Sequence, residues 1–186
     1  GSSKLMTEIM LRDAAAAHGL SYVVLRYFNV AGADPQQRTG QSTKGATHLI
    51  KVAVEAALGK RDRMDVFGTD YPTPDGTCVR DYVHVMDLVD AHVLGLKWLH
   101  AGKGSSVFNL GTGHGFSVRE VSDQSRIVTN RDVPVTFGPR RAGDAVRLVS
   151  GSERAVRDLG WMPTRSTMRD MIADAWRWHQ SGAYEK

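Results

Sequence analysis

Residues 67–88 read FGTDYPTPDGTCVRDYVHVMDL, and this stretch carries the strongest fold signal in the chain. Two prolines and an Asp-Gly pair at 70–76 predict a turn-rich loop. Residues 79–85 are rich in β-branched and aromatic side chains, which predicts a strand. A helix is predicted over 87–100, with three apolar side chains on one face: Val89, Val93 and Leu96. A strand that leads into a helix in this way is typical of an α/β protein.

The residues before this stretch predict half of a β-α-β unit. Residues 3–18 predict a helix that ends at Gly19, and residues 21–28 predict a buried strand. The partner strand of such a unit would lie before Gly1, so we expect the chain to open in the middle of an α/β sheet. Residues 29–44 are rich in glycine, proline and polar side chains and predict a loop.

The remaining segments continue the alternation of helices and strands. The predicted helices are 48–58, 152–159 and 167–180, together with one that begins after Ser117. Ser117 and Glu120 have the spacing of a capping box at the start of that helix. The predicted strands are 65–67, 107–110 and 133–137. The sequence therefore predicts the α/β class throughout.

Composition narrows the class of protein. The 186 residues are 41% hydrophobic and 24% charged, as in ordinary globular proteins. No apolar run approaches the roughly 20 residues of a membrane span, so no membrane partner is expected. The start lacks the apolar segment of a signal peptide, and because residue 1 is not Met we expect the natural start to lie elsewhere. The single cysteine, Cys78, excludes an internal disulfide, and we expect a cytoplasmic protein.

The net charge of +4 raises the question of an anionic partner. The arginines are dispersed and interleaved with acidic residues, as at 60–65, and no lysine-rich tail occurs. Nucleic acid is therefore not expected as a partner. A small phosphorylated ligand needs only two or three well-placed arginines. The histidines show no metal-binding spacing, so no metal is expected.

Several motifs, in this order, resemble those of the extended short-chain dehydrogenases/reductases and, within them, the UDP-glucose 4-epimerase family. The matching segments are GSSKL at 1–5, LRYFNVAGA at 25–33, the stretch 67–88, FNLGTG at 108–113 and PRRAGD at 139–144. The resemblance implies the C-terminal part of such a fold: the end of a Rossmann-type parallel sheet plus a smaller substrate-binding α/β domain. Residues 1–30 would be the last helix and strand of the dinucleotide-binding domain. Residues 31–186 would form mainly the UDP-sugar-binding domain, with some segments returning to the sheet.

The resemblance also implies NAD as cofactor and a catalytic role for Lys4. Lys4 would be the lysine of the family's Tyr-x-x-x-Lys pair, which puts the tyrosine directly before Gly1. In such enzymes the lysine holds the nicotinamide ribose, and its charge lowers the pKa of the tyrosine that takes the sugar proton. Tyr27 and Phe28 would line the nicotinamide side. The alternatives are a surface lysine at position 4 and core packing for at least one of the two aromatic side chains.

Four residues are implied on the uridine and phosphate side of the substrate. Asn29 would hydrogen-bond the phosphate, although a turn-forming asparagine is the alternative. His48 and Leu49 match the place where the family often has Asn-Leu, followed two residues later by a proline where this chain has Lys51. Phe67 is expected either to pack on the uracil base or to serve as a core aromatic.

Arg80, Arg141 and Asp144 are implied as the UDP-binding set. The two arginines would clamp the diphosphate by charge-assisted hydrogen bonds, and the aspartate would contact the uridine ribose. Surface salt bridges, such as Arg80 with Asp81, are the alternative. Leu148 falls where many relatives have a tyrosine that crowds the C2 substituent of the sugar. The smaller side chain implies that N-acetylated UDP-hexoses are accepted too.

The implied reaction is NAD-dependent inversion at C4 of a UDP-hexose through a 4-keto sugar. The glycine-rich fingerprint and the tyrosine would lie upstream, so the 186 residues alone are expected neither to bind NAD nor to catalyse. The intact protein is expected to be a homodimer. The alternatives are a sugar-nucleotide dehydratase, a pentose 4-epimerase, a non-catalytic UDP-sugar-binding module, and a partial α/β fold that self-associates through its sheet edge. Residues 111–115, GTGHG, lack the G-x-G-x-x-G spacing and are expected to be structural.

Overall fold

The structure is a computed structural model that describes residues 1–183. It contains five α-helices and nine short strands in that range, and their order alternates as the sequence predicts. The helices are α1 (Ser2–His18), α2 (Leu49–Ala57), α3 (Val85–His100), α4 (Val118–Thr129) and α5 (Met168–Ser181). The strands are β1 (Val23–Arg26), β2 (Asn29–Ala31), β3 (Met64–Phe67), β4 (Val79–Arg80), β5 (Tyr82–His84), β6 (Ser106–Asn109), β7 (Phe116–Ser117), β8 (Val135–Gly138) and β9 (Arg147–Leu148).

Most strand pairs are parallel, which confirms the α/β class. β1 pairs with β6, β2 with β5, and β3 with β8, each in parallel register. β4 is flanked on both sides, by antiparallel β7 and by parallel β9. α3 follows β5 and precedes β6 along the chain, and these two strands pair in different sheets.

Three apolar clusters hold these elements together. The first joins α2, α4 and α5 through side chains that include Val54, Val121, Met171 and Ile172. The second lies between α3, β6 and residues 155–161, around Phe108, Leu110 and Trp161. The third packs α2 against β3, around Ala53, Met64 and Val66. Trp161 and Trp178 are both buried.

Helix ends follow their sequence signals. Gly19 adopts a left-handed conformation with φ of 66° and closes α1. Ser117 accepts a hydrogen bond from the backbone of Glu120, whose carboxylate accepts one from the Ser117 backbone in return. The predicted capping box is therefore confirmed.

Two predicted segments are wrong in detail. Residues 29–44 were expected to be a loop throughout, but 29–31 form β2 because they pair with β5. The single strand expected over 79–85 is divided at Asp81 into β4 and β5. The carboxylate of Asp81 accepts hydrogen bonds from Thr112 and Ser150, so the strands on its two sides join different sheets.

Other short elements also differ from expectation. β7 and β9 were not predicted, because each has two residues and exists only through its pairing with β4. Within the helix predicted over 152–159, Ala155–Leu159 forms a π-helix that ends at Gly160. β7 and β9 therefore depend on contacts distant in sequence.

Two helices leave apolar side chains in solvent. No residue of α1 is buried, and Met10 is 70% exposed. The predicted apolar face of α3 is also exposed: Val89, Val93 and Leu96. The face of α3 that packs inward carries Leu88, Ala91 and Gly95 instead. Within residues 1–183, no helix is both long and apolar enough to cross a membrane.

Candidate UDP-sugar site

Arg80 lies on β4 with its guanidinium held by the neighbouring chain. One of its terminal nitrogens, Nη1, donates to the carbonyl oxygens of Ala145 at 2.8 Å and Val79 at 2.9 Å. The other, Nη2, lies 3.8 Å from the Asp144 carboxylate, too far for a strong hydrogen bond. The side chain is only 14% exposed. Arg80 is therefore pre-oriented, and Nη2 retains hydrogen-bonding capacity.

Arg141 and Asp144 complete an arginine cluster, which we define as Phe67, Arg80, Arg141 and Asp144. Arg141 donates to the Asp144 carboxylate at 3.0 Å, and its guanidinium stacks 4.6 Å from the centre of the Phe67 ring. Two cations against one carboxylate leave a net charge of +1 in the cluster. The structure thus brings together four residues that the sequence nominated, and the arrangement can accept an anion beside an aromatic ring.

Leu148 is joined to this cluster by strand register. β9 pairs with β4 so that Leu148 lies opposite Arg80. Side chains of paired residues share one face of a sheet, so a larger residue at 148 would reach toward the guanidinium. Leu148 is half-buried there.

Asp81 is a functional support that the sequence analysis missed. Its carboxylate is buried and accepts hydrogen bonds from the backbone and hydroxyl of Thr112 and from the backbone of Ser150. The salt bridge considered between Arg80 and Asp81 does not form, because Asp81 faces these inward donors and Arg80 faces Asp144. The available signal was an aspartate inside a run of strand-forming residues, where this residue type is uncommon.

The segment 111–115 gains a role from the same contacts. Gly111 lies so close to Asp81 that an added Cβ would sit 2.6 Å from the Asp81 carboxylate. The glycine is therefore required for packing, and Thr112 supplies the hydrogen bonds. This agrees with the structural role expected for the loop.

A cavity of about 360 Å³ is lined by residues other than the four of the arginine cluster. Asn29, His48 and Leu49 all border it, together with Lys51 and Tyr82. The Asn29 amide donates to the Asp81 carbonyl at 2.9 Å, which links the cavity to β4. Three of the four residues predicted on the uridine and phosphate side therefore border one cavity, and the fourth, Phe67, lies in the arginine cluster.

Tyr82 does not offer a proton acceptor in this cavity. Burial raises the pKa of Tyr82 well above its usual value of 10. The phenol is therefore protonated near neutral pH and cannot act as a general base.

Lys51 has a defined structural role. Its ammonium group is buried, donates to the Thr43 carbonyl at 2.8 Å and pairs with Glu55 at 2.8 Å. Burial alone would raise the pKa of Glu55, but hydrogen bonds from Lys51 and Arg61 together lower it. The lysine therefore ties the segment before His48 to α2.

The three residues nominated for the cofactor side are exposed. The Lys4 ammonium makes no hydrogen bond or ion pair within residues 1–183, and it lies on the uncovered helix α1. Tyr27 and Phe28 follow β1 directly and are 43% and 45% exposed. The expectation that one of these aromatics serves mainly as core is wrong in this structure, because neither is buried.

Arg140 makes structural contacts. It donates to the carboxylate of Asp70 at 2.7 Å and stacks on Tyr71, so its guanidinium is engaged within the chain. Among the described residues, no group of three or more His, Cys, Asp or Glu side chains is placed to hold a metal ion. Cys78 is buried with a free thiol.

Known proteins resemble this chain in sequence. A sequence model of the NAD dependent epimerase/dehydratase family matches residues 1–111, more than half of the chain. UDP-glucose 4-epimerase of Azospirillum brasilense is 57% identical over 181 residues, which are 97% of this chain and 52% of that protein.

Two solved structures match in three dimensions. The crystal structure of UDP-glucose 4-epimerase from Brucella ovis in complex with NAD has a TM-score of 0.91 at 45% identity and covers 95% of this chain. The enzyme from Stenotrophomonas maltophila, with bound NAD and formylated UDP-arabinopyranose, has a TM-score of 0.93 at 38% identity and covers all of it. The matches cover 54% and 55% of those chains.

The chain thus spans about half the length of the relatives that it matches. Its sequence match, its fold and its clustered site residues agree. The chain belongs to the NAD-dependent epimerase/dehydratase family.

Proposed function

We propose that this chain supplies the UDP-sugar-binding part of a NAD-dependent UDP-glucose 4-epimerase. The observation that carries the proposal is the arginine cluster, in which Arg80 and Arg141 face Asp144 and Arg141 stacks on the Phe67 ring. The name of the Azospirillum relative and the ligands in the Stenotrophomonas structure support it. The reaction would invert C4 of a UDP-hexose through a 4-keto sugar.

In this proposal the arginine cluster anchors UDP. Arg80 and Arg141 would each donate to a phosphate oxygen, and charge-assisted hydrogen bonds of this kind are among the strongest in proteins. Asp144 would accept from the uridine ribose, and Phe67 would pack on the uracil. The reaction requires UDP to stay bound, because the 4-keto sugar must rotate to expose its opposite face without dissociating.

The residues predicted to contact the cofactor account for only part of an NAD site. Lys4, Tyr27 and Phe28 are exposed on one helix and at the end of one parallel strand, where ligands of α/β sheets bind. They suit the nicotinamide end only, since the 186 residues contain no G-x-G-x-x-G segment. NAD, when bound, supplies the acceptor and donor of hydride. Lys4 would hold the nicotinamide ribose and electrostatically favour the phenolate of a tyrosine four residues before it.

The exposed apolar faces of α1 and α3 support completion by a dinucleotide-binding half. Large apolar patches on a protein surface mark contact sites, and here they include Met10, Val93 and Leu96. We propose that these faces are covered in the whole protein. We also propose that the whole protein is a homodimer and that it is located in the cytoplasm.

One observation favours a second candidate substrate. The Stenotrophomonas neighbour carries a UDP-pentose derivative, formylated UDP-arabinopyranose. A UDP-pentose 4-epimerase would use the same UDP anchor, because the arginine cluster would not contact the sugar ring. The two substrates differ at C5 and are distinguished by direct comparison of turnover.

The test is made on the full product of the reading frame that contains these residues. UDP-galactose and UDP-glucose are each incubated with it, and the two sugars are separated by chromatography. The proposal requires both reactions to reach the same mixture. A 6-deoxy-4-keto product would instead identify a dehydratase, and UDP binding without turnover would identify a binding module.

A further inference from the structure

The segment 40–48 orients a histidine at the cavity. His48 immediately precedes α2, and its side chain makes no cap hydrogen bond to the helix. Its ring nitrogen Nδ1 lies 3.1 Å from the amide nitrogen of Gln41. Nε2 has no hydrogen-bond partner within the described residues. One side of the ring is therefore engaged, and the other remains for a ligand.

The orientation of the Gln41 amide is fixed by a separate contact. The backbone nitrogen of Thr43 donates to the Gln41 side-chain oxygen Oε1 at 3.3 Å. That contact turns the amide nitrogen toward His48. An amide nitrogen only donates, so Nδ1 of His48 must accept. In a neutral imidazole the proton then resides on Nε2.

The backbone of Gln41 is anchored from two helices. Its carbonyl accepts from the indole of Trp178 on α5 at 3.1 Å, and Lys51 on α2 holds the Thr43 carbonyl. Gly40 lies against the same indole, where an added Cβ would sit 2.6 Å from the ring. The contact between Gln41 and His48 thus belongs to an anchored segment.

We propose that Gln41 is a positioning residue that fixes His48 as the tautomer with its proton on Nε2, so that His48 presents one N–H donor to an anionic oxygen of the UDP-sugar. The identity of the ligand rests on the proposed function. The tautomer does not, because it follows from hydrogen bonds within this chain. His48 and Asn29 would then donate into the cavity together.

The tautomer is measured on this 186-residue chain by ¹⁵N NMR of the imidazole nitrogens near neutral pH. The His48→Asn variant assigns the signals. The expected result is a protonated Nε2 and an unprotonated Nδ1. In Gln41→Glu the carboxylate accepts instead, so the expected result is a protonated Nδ1. A protonated Nδ1 in the wild-type chain, or an unchanged pattern in Gln41→Glu, overturns the proposal.

The positioning role is measured on the full product of the reading frame. Gln41→Met keeps the length of the side chain but removes its donor, and the expected result is a rise in KM for UDP-glucose on the order of tenfold. The expected kcat stays within twofold, and the exposed control Gln180→Met leaves both unchanged. An unchanged KM in Gln41→Met overturns the positioning role while turnover itself is intact. Absence of turnover in the wild-type product would count against the proposed function instead, and the NMR result would still decide the tautomer.

Discussion

The side-chain amide of Asn29 donates to the backbone carbonyl of Asp81 at 2.9 Å. This contact joins the strand that follows Tyr27 and Phe28 to the strand that carries Arg80. Asp81 in turn holds Thr112 and Ser150. A single buried residue, directly after Arg80, therefore links the segments that carry Asn29, Thr112 and Ser150.

Arg80→Ala should weaken the binding of UDP-sugars. The guanidinium is pre-oriented by Ala145 and would lose a charge-assisted contact worth about 2 kcal/mol, which is roughly thirtyfold in KM. Steady-state kinetics of the full product would measure it. Arg140→Ala is the matched control, since Arg140 is engaged with Asp70 and Tyr71. Equal losses in both variants would contradict the assignment of Arg80.

Gly111→Ala should destabilise the chain by roughly 1–3 kcal/mol, the usual cost of overpacking. An added Cβ would lie 2.6 Å from the Asp81 carboxylate and 2.6 Å from the Ser150 side chain. Gly138→Ala is the control, because its Cβ would meet Phe67 at an ordinary 3.7 Å. Urea unfolding of both variants would measure the difference. Similar midpoints would show that the Asp81 contacts tolerate crowding.

Asp34 should contribute to acid stability. A hydrogen bond from Arg38 lowers the pKa of Asp34 from 3.8 to about 2, although burial opposes the shift. A pKa that is lower in the folded state gives stability that is fully present above about pH 4 and lost as pH falls through about 2. The difference in urea midpoint between wild type and Asp34→Asn should shrink over that interval. A difference that is constant with pH would contradict this ion pair.

Leu148 should set tolerance for the C2 substituent of the sugar. Resemblance predicts comparable turnover of UDP-N-acetylglucosamine and UDP-glucose by the full product. Leu148→Tyr, opposite Arg80, should reduce the acetylated reaction at least roughly tenfold and spare the other. Leu148→Met keeps the side-chain volume similar and is the control. No detectable acetylated turnover in the wild type would rule the idea out.

The sequence predicts most of the helices because their signals are local. Gly19 closes α1, and the Ser117–Glu120 box opens α4, through contacts within a few residues. The residues of the arginine cluster could be predicted as site residues only from the resemblance to a known family. The spacing of these residues along the sequence does not indicate that Phe67, Arg80 and Arg141 lie close together in the fold.

The failures have a common physical cause, which is long-range hydrogen bonding. Asp81 divides a run of strand-forming residues because its partners, Thr112 and Ser150, lie 31 and 69 residues away. The contact between Gln41 and His48 also escaped prediction, since it needs the anchor from Trp178 on the last helix. Periodicity on α3 identified an apolar face but could not tell whether another element covers it.

The central claim is that these residues form the UDP-sugar-binding part of a 4-epimerase. The most direct test follows UDP-galactose with the full product of the reading frame and added NAD, in wild type and in the Arg80→Ala, Arg141→Ala double variant. The account predicts conversion to UDP-glucose by the wild type, and a KM raised by at least the thirtyfold expected for Arg80 alone in the double variant. No conversion by a folded wild-type product, or the same KM in both proteins, would contradict it.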